Sequence, residues 1–341
     1  MSVSASEGHR LTEAAARAPG KLFLSGEYVV LMGAPAVIAA VDRHAEVRVT
    51  LGEKPGPLIV RSLAEGTSWE APARRNEMPG GDAGVVLAAL HAVAERGGVP
   101  AHLGAEVVVD SRPFLVGERK LGLGRSSATL TAAVAAFLAT SGRPTRDGIL
   151  ERALAANALF QNGRGSGADL AAAVHGGVVE VRRKGPGLRV HARALPRGIH
   201  LVAGWTGEPA PTGLLLARFA AAAAREPRSL GPLREVALRA AEAIERGDAQ
   251  ALADAVDRSA DLLAQLGSEV DIPIVTPALA RLVAAARRVG AVAKPSGAGA
   301  GDCGIALAAS AAQAARVRTA WQEAGIVPLP VAIAPEGVTS G

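Results

Sequence analysis

The chain has 341 residues and a formal net charge of +5; 49% of it is hydrophobic and 3% aromatic. That is apolar material for one large or two ordinary domains, with a core of small aliphatic side chains. Basic and acidic residues interleave along the whole length, which argues against a nucleic-acid tract and fits a local anionic pocket.

Residues 1–17 are polar and lack the apolar run of a signal peptide, so they are expected to be a disordered leader. Lys21–Ser25 reads as a strand stopped at Gly26-Glu27. Val29–Val41 is apolar but interrupted by Gly33 and Pro35, and too short to span a bilayer. Ala45–Leu51 alternates as a strand does, with Arg43 and His44 between the two runs. The stretch from Gly52 to Gly81 is rich in Pro, Gly and charge and predicts loops around a short strand at Leu58–Arg61. Val85–Glu95 predicts a helix stopped by Gly97-Gly98, and Ala105–Asp110 a buried strand.

A glycine-broken turn, Gly122-Leu-Gly-Arg-Ser-Ser127, then opens an alanine-rich helix. Arg146–Phe160 predicts another helix, and Gly165-Ser-Gly-Ala-Asp169 a second glycine turn and helix. Val178–Arg183 and Leu188–Ala194 form a hairpin pattern. The second half reads as a strand at Ile199–Ala203 followed by helices at Leu214–Arg225, Leu233–Arg246, Ala249–Leu266 and Pro277–Val289. Ala291–Pro295 and Cys303–Ala309 are strands around a third glycine-rich loop, before a helix at Ala311–Ala324 and a strand at Val327–Ile333. The class is α+β in two domains, 18–197 and 198–341. Cys303 is the single cysteine, so no internal disulfide forms and a cytoplasmic location is expected.

The start of a helix carries unpaired N–H groups and the positive end of a dipole, a natural seat for phosphate. Gly122 and Gly124 lead straight into such a start, with Ser126 and Ser127 as hydroxyls beside it. Neither common nucleotide fingerprint is present: Gly20-Lys21 is followed by Leu22, and no Gly-x-Gly-x-x-Gly follows a strand in the needed context.

Three segments together are more specific: Pro19-Gly-Lys-Leu-Phe-Leu-Ser-Gly-Glu-Tyr28, Gly122-Leu-Gly-Arg-Ser-Ser-Ala128 and Lys294-Pro-Ser-Gly-Ala-Gly-Ala-Gly-Asp-Cys-Gly304. They resemble, in order and spacing, the three motifs of the galactokinase, homoserine kinase, mevalonate kinase and phosphomevalonate kinase (GHMP) superfamily. Ser-Gly-Glu-Tyr at Ser25–Tyr28, Gly165-Ser-Gly-Ala-Asp169, Gly204-Trp-Thr-Gly207 and Gly301-Asp-Cys-Gly304 are similar to the phosphomevalonate kinase branch. The resemblance implies a small-molecule kinase fold with a ribosomal-protein-like N-terminal domain and a ferredoxin-like C-terminal domain. It implies ATP and Mg²⁺ as cofactors and 5-phosphomevalonate as the small-molecule substrate. Mevalonate kinase, or a non-catalytic binding protein of the superfamily, are the alternatives.

The resemblance implies Lys21 and Asp169 as catalytic, Asp169 beside Lys21. Gly122, Leu123, Gly124, Arg125, Ser126, Ser127 and Lys120 would hold the nucleotide, with Ser126 on the metal. Glu27, Tyr28, Arg164, Ser166, Gly297, Ala298 and Gly299 would meet the substrate. Asp169 also fits as a cap of the following helix, and Asp302 as a brace of its own loop. Trp205 reads as a core or loop anchor and His175 as a helix-end residue. Two positions depart from the pattern. Arg125 stands where a serine is usual and is expected to reach solvent or add a phosphate contact. Ala300 stands where glycine is usual.

Overall fold

The computed structural model describes residues 13–72, 78–95, 103–142, 144–161, 163, 165–185, 187–209 and 212–341. β1 (Glu13–Ser25) and β2 (Ala36–Pro55) pair antiparallel at the centre of an eight-stranded sheet. Their apolar residues divide between two cores: Ala36 and Ile38 belong to one, Leu22, Leu24, Val37 and Ala39 to the other. A strand covered on both faces reads as a continuous apolar run, which is why Val29–Val41 lacks alternation.

Arg43 and His44 do not separate two strands. β2 runs through them with a bulge: Pro19 pairs with His44 and Gly20 with Val41, leaving Asp42 and Arg43 outside the ladder. Most of the expected leader lies outside the described residues, but Glu13–Arg17, expected to be disordered with it, instead pair with β2 as far as Glu13 opposite Thr50. Their alternation, with Ala14 and Ala16 buried, is muted by small side chains.

β3 (Pro57–Ser62) and β4 (Thr67–Pro72) form a hairpin where mostly loop is expected, and β5 (Leu103–Asp110) lies between β3 and β2. Helices α1 (Gly81–Ala94), α2 (Arg125–Ala139), α3 (Arg146–Phe160) and α4 (Ala168–His175) cover one face of this sheet. A two-residue hairpin, β6 (Leu115–Val116) and β7 (Arg119–Lys120), delivers the chain into α2. β8 (Val178–Lys184) pairs with β2 and β9 (Gly187–Arg193). The Gly97-Gly98 stop lies outside the described residues.

A second sheet has the order β11 (Val292–Pro295), β12 (Cys303–Ala308), β10 (His200–Trp205), β13 (Val327–Leu329), all antiparallel. The helices are α5 (Thr212–Ala223), α6 (Leu230–Arg246), α7 (Ala249–Val270), α8 (Pro277–Arg288) and α9 (Ala311–Glu323). Asp248, Thr276 and Ser310 cap α7, α8 and α9 by accepting from backbone N–H groups in the first turn. The core shared by both sheets takes in Phe219, Leu233 and Leu263 from α5, α6 and α7, and a third core joins α8 and α9 to the second sheet.

The last strand expected at Val327–Ile333 ends at Leu329, before Pro330, which has no N–H for a ladder. The chain then crosses back to the first sheet, where β14 (Thr339–Ser340) pairs with β1. The C-terminal unit expected over 198–341 therefore lends its last strand to the N-terminal sheet. No helix among the described residues is long and apolar enough to cross a membrane.

Candidate active site

The three glycine-rich segments meet. Lys21 on β1 donates its backbone N–H to Leu123 O at 2.8 Å. Gly124 has φ 81°, and a Cβ there would stand 2.8 Å from Lys21 Cγ. Gly122 has φ 75°, and a Cβ there would stand 2.3 Å from Asp302 Cβ. Both glycines are thus required twice, by a left-handed backbone and by close approach. Gly297 of the third loop lies within reach of the lysine, since a Cβ built on it would be 3.5 Å from Lys21 Nζ. Lys21 Nζ stands 5.3 Å from the centre of the Phe23 ring, two residues along the same strand face.

These contacts bound a cleft of about 660 Å³. Lys21, Gly122, Gly124, Ser126, Ser127 and Asp169 all line it, as do Lys120 and Ser166. The helical ladder of α2 starts with Ala128 N donating to Gly124 O, so the N–H groups of Arg125, Ser126 and Ser127 lie before it. Ser126 is exposed in the cleft and Ser127 is buried. The Ser127 hydroxyl donates to Asp169 Oδ2, and Asp169 Oδ1 accepts from Leu170 N at 3.1 Å. No ion pair joins Lys21 to Asp169 among the described residues; the carboxylate is held by serine instead.

Leu123 turns its side chain into the core, fully buried, so it contributes backbone only. Arg125 does not reach solvent: its guanidinium is held by Glu65 and Asp82. Lys120 is exposed, and its carbonyl accepts from Trp205 Nε1 at 3.1 Å, which ties the second sheet to the approach of the phosphate turn. Arg164 lies outside the described residues. Ser166 accepts from Ala168 N at 3.2 Å, at the start of the helix that carries Asp169.

Glu27 is buried and paired with Lys294, and it also accepts from Gly297 N at 3.3 Å. Lys294 is fully buried and donates to Pro295 O at 2.7 Å. Burial pushes its amine down, Glu27 pulls it back up, and Lys21 adds to the downward push. The Glu27 carboxylate thus braces the third loop, and Glu27 also lines the cleft. Tyr28 takes φ 63° and donates its hydroxyl to Ala298 O; burial, and then Glu27, push its phenol up. Gly299 has φ 74°, and a Cβ there would stand 2.1 Å from the Ile274 carbonyl oxygen. Asp302 N donates to Glu208 O at 2.6 Å, and Asp302 O accepts from Thr206 N at 2.9 Å, so its backbone braces the loop. Ala300 adopts φ 61°, the left-handed conformation the usual glycine would supply.

Phe23, Glu65 and Ser296 line the cleft and were not singled out from sequence. Phe23 was findable by strand alternation from Lys21, whereas Glu65 comes from the β3–β4 turn.

Residues 84–177 match the family model described as the GHMP kinases N terminal domain, and residues 240–327 match GHMP kinases C terminal. A phosphomevalonate kinase from Streptomyces sp. (strain CL190) is 36% identical, over 94% of this chain and 97% of that protein. A mevalonate kinase from Aeropyrum pernix is 31% identical, over 86% of this chain and 88% of the other. Among solved structures, Streptococcus pneumoniae phosphomevalonate kinase in complex with phosphomevalonate and AMPPNP has a TM-score of 0.79 at 22% identity, covering 94% of this chain and 99% of that one. Lactococcus lactis galactokinase complexed with galactose has a TM-score of 0.75 at 17% identity, covering 97% of this chain and 95% of that one. The chain belongs to the GHMP kinase family. It is a phosphotransferase with that family's two-domain α+β fold.

Proposed function

We propose that the chain transfers the γ-phosphoryl group of ATP to 5-phosphomevalonate, giving ADP and 5-diphosphomevalonate. The observation that carries this reading is near full-length similarity to a phosphomevalonate kinase at 36% identity, against 31% for a mevalonate kinase. Donor and acceptor are both anions. At about 5 Å and an effective dielectric near 20, each pair of unit charges repels by roughly 3 kcal/mol. Catalysis of phosphoryl transfer is therefore mainly positioning and charge neutralisation.

The start of α2 receives the β- and γ-phosphates on its backbone N–H groups. Lys21 directs its ammonium at the transferring phosphoryl group. Asp169, held by Ser127, faces the acceptor. A phosphate monoester has a second pKa of about 6, so at neutral pH its oxygen is already mostly deprotonated. Asp169 then orients the acceptor and Lys21 more than it removes a proton. The acceptor oxygen forms the new bond to phosphorus as the bond to the β-phosphate bridging oxygen breaks, and ADP leaves with that electron pair.

Oxygen donors in the cleft, the exposed Ser126 hydroxyl and the Asp169 carboxylate, suit Mg²⁺. No group of three or more His, Cys, Asp or Glu capable of holding a metal occurs among the described residues, which fits an ion shared with the triphosphate. Bound there, Mg²⁺ would neutralise phosphate charge. The test is ATP turnover with Mg²⁺ and, in turn, 5-phosphomevalonate, mevalonate, homoserine and galactose. Turnover with 5-phosphomevalonate alone supports the proposal; a preference for mevalonate replaces it with mevalonate kinase.

A further inference from the structure

We infer that Arg125 is a positioning residue that works against two carboxylates in the wall of the nucleotide cleft, and not against the phosphates. The inference rests on the ATP reading above. Arg125 is the first residue of α2, next to the turn that would hold the triphosphate. Its Nη2 donates to Asp82 Oδ1 at 3.0 Å and to the Glu65 carboxylate. The Arg125 side chain is 12% exposed and that of Asp82 2%.

The cluster is built and satisfied. Asp82 Oδ2 accepts from Ser62 Oγ at 2.6 Å and from Ser111 Oγ at 3.0 Å. The Glu65 carboxylate accepts from Asp82 N at 3.3 Å, at the start of α1. The guanidinium at the start of α2 therefore meets the β3–β4 turn and the start of α1, and Asp82 links them on to Ser62 of β3 and to Ser111 just after β5. Glu65 and Arg125 line the same cleft as Lys21 and Ser126.

Two carboxylates and one guanidinium leave a net single negative charge in this wall. The serine usual at position 125 would leave two, one on Glu65 in the cleft lining and one on Asp82 buried behind it. Arg125 thus offsets a cost that Glu65 and Asp82 impose on anion binding, and its anchoring fixes the direction in which the first N–H groups of α2 point. Both effects act on nucleotide binding before they act on the chemical step.

Steady-state kinetics over ATP concentration test this, with the best acceptor saturating and thermal melting as a check on folding. Arg125→Ala is expected to raise KM for ATP about tenfold while kcat stays within about threefold. The increase shrinks at about 0.5 M salt, because it is a charge effect. Arg125→Lys recovers most of the affinity. Glu65→Gln, in the wild-type background, keeps an amide oxygen that can accept from Arg125, with Asp82 still in place, so the anchor stays while a negative charge goes, and KM for ATP falls about two- to fivefold. Loss of packing would act in the opposite direction, so this variant decides the matter even if Arg125→Ala fails to fold. An unchanged KM in Arg125→Ala, a collapse of kcat at constant KM, or a raised KM in Glu65→Gln overturns the inference. Wild-type protein that turns over no ATP with any acceptor overturns the ATP reading instead.

Discussion

The Ser127 hydroxyl donates a hydrogen bond to Asp169, joining the first turn of α2 to the first turn of α4. The bond fixes the carboxylate without an ion pair to Lys21. On the function proposed above, it would divide the work at the reacting centre: the lysine carries charge, the aspartate carries direction. Lys21→Met should lose about 10³-fold or more in kcat, since it removes the cation at the transferring group. Asp169→Asn, which can still accept from Ser127, should lose less than about 10²-fold, below the usual worth of a general base. Equal losses in the two variants, measured in the coupled assay with fold intact, would refute the division.

Gly122 should tolerate no side chain. A methyl group there would stand 2.3 Å from Asp302 Cβ, with φ 75° to be strained as well. Gly122→Ala is expected to push the second and third loops apart and raise KM for ATP about tenfold or more, while the cores keep the melting temperature within a few degrees. Normal nucleotide affinity in this variant would mean that the two loops need not touch.

Ala300 offers a stabilising change. An alanine at φ 61° carries left-handed strain of about 1–2 kcal/mol, and glycine relieves it while losing roughly 0.5–1 kcal/mol to greater freedom in the unfolded chain. Ala300→Gly should raise stability by about 0.5–1 kcal/mol, read as a higher urea midpoint at unchanged slope.

The Glu27–Lys294 pair should behave as a buried ion pair. Lys294 is wholly enclosed, so Lys294→Met leaves the Glu27 charge without its partner and is expected to cost about 3–5 kcal/mol. Combining it with Glu27→Gln should recover part of that loss, because no uncompensated charge is left. Urea unfolding of the two single variants and the double variant reads the coupling.

Stability in acid should report on Glu180, which is buried and bonded to Arg182 at 2.7 Å and Arg193 at 2.7 Å. Burial pushes its carboxyl up, but the bonds and charges of Arg182 and Arg193 outweigh this and hold it below its usual 4.5. A carboxyl depressed on folding contributes stability that is present above the unfolded value and lost as pH falls through the folded one. Melting temperature should therefore drop as pH falls below about 4.5, less steeply in Glu180→Gln than in wild type.

Much of this was legible because the site is made of backbone. Glycines at 122 and 124 are demanded by approach and by φ, and no packing role substitutes for them, so they stand out in a bare sequence. Lys21 stands out through the Pro19–Tyr28 motif, and Phe23, two residues along the same strand face, could have been found from it by alternation. Tertiary partners were not legible. Arg125 reads from sequence as a solvated charge or a phosphate contact because its carboxylates lie 60 and 43 residues away, one of them in a hairpin hidden by Pro, Gly and charge. The partner of Glu27 was hidden in the same way, because Lys294 is 267 residues distant. Short helix caps and glycine turns are local; ion pairs across sheets are not.

The phosphorus spectrum of the reaction mixture tests the central claim most directly. With ATP, Mg²⁺ and 5-phosphomevalonate, wild-type protein should convert the monoester resonance into two coupled doublets of a new diphosphate, in step with ADP. ADP appearing with inorganic phosphate alone, or a new monoester singlet formed only from mevalonate, would contradict it.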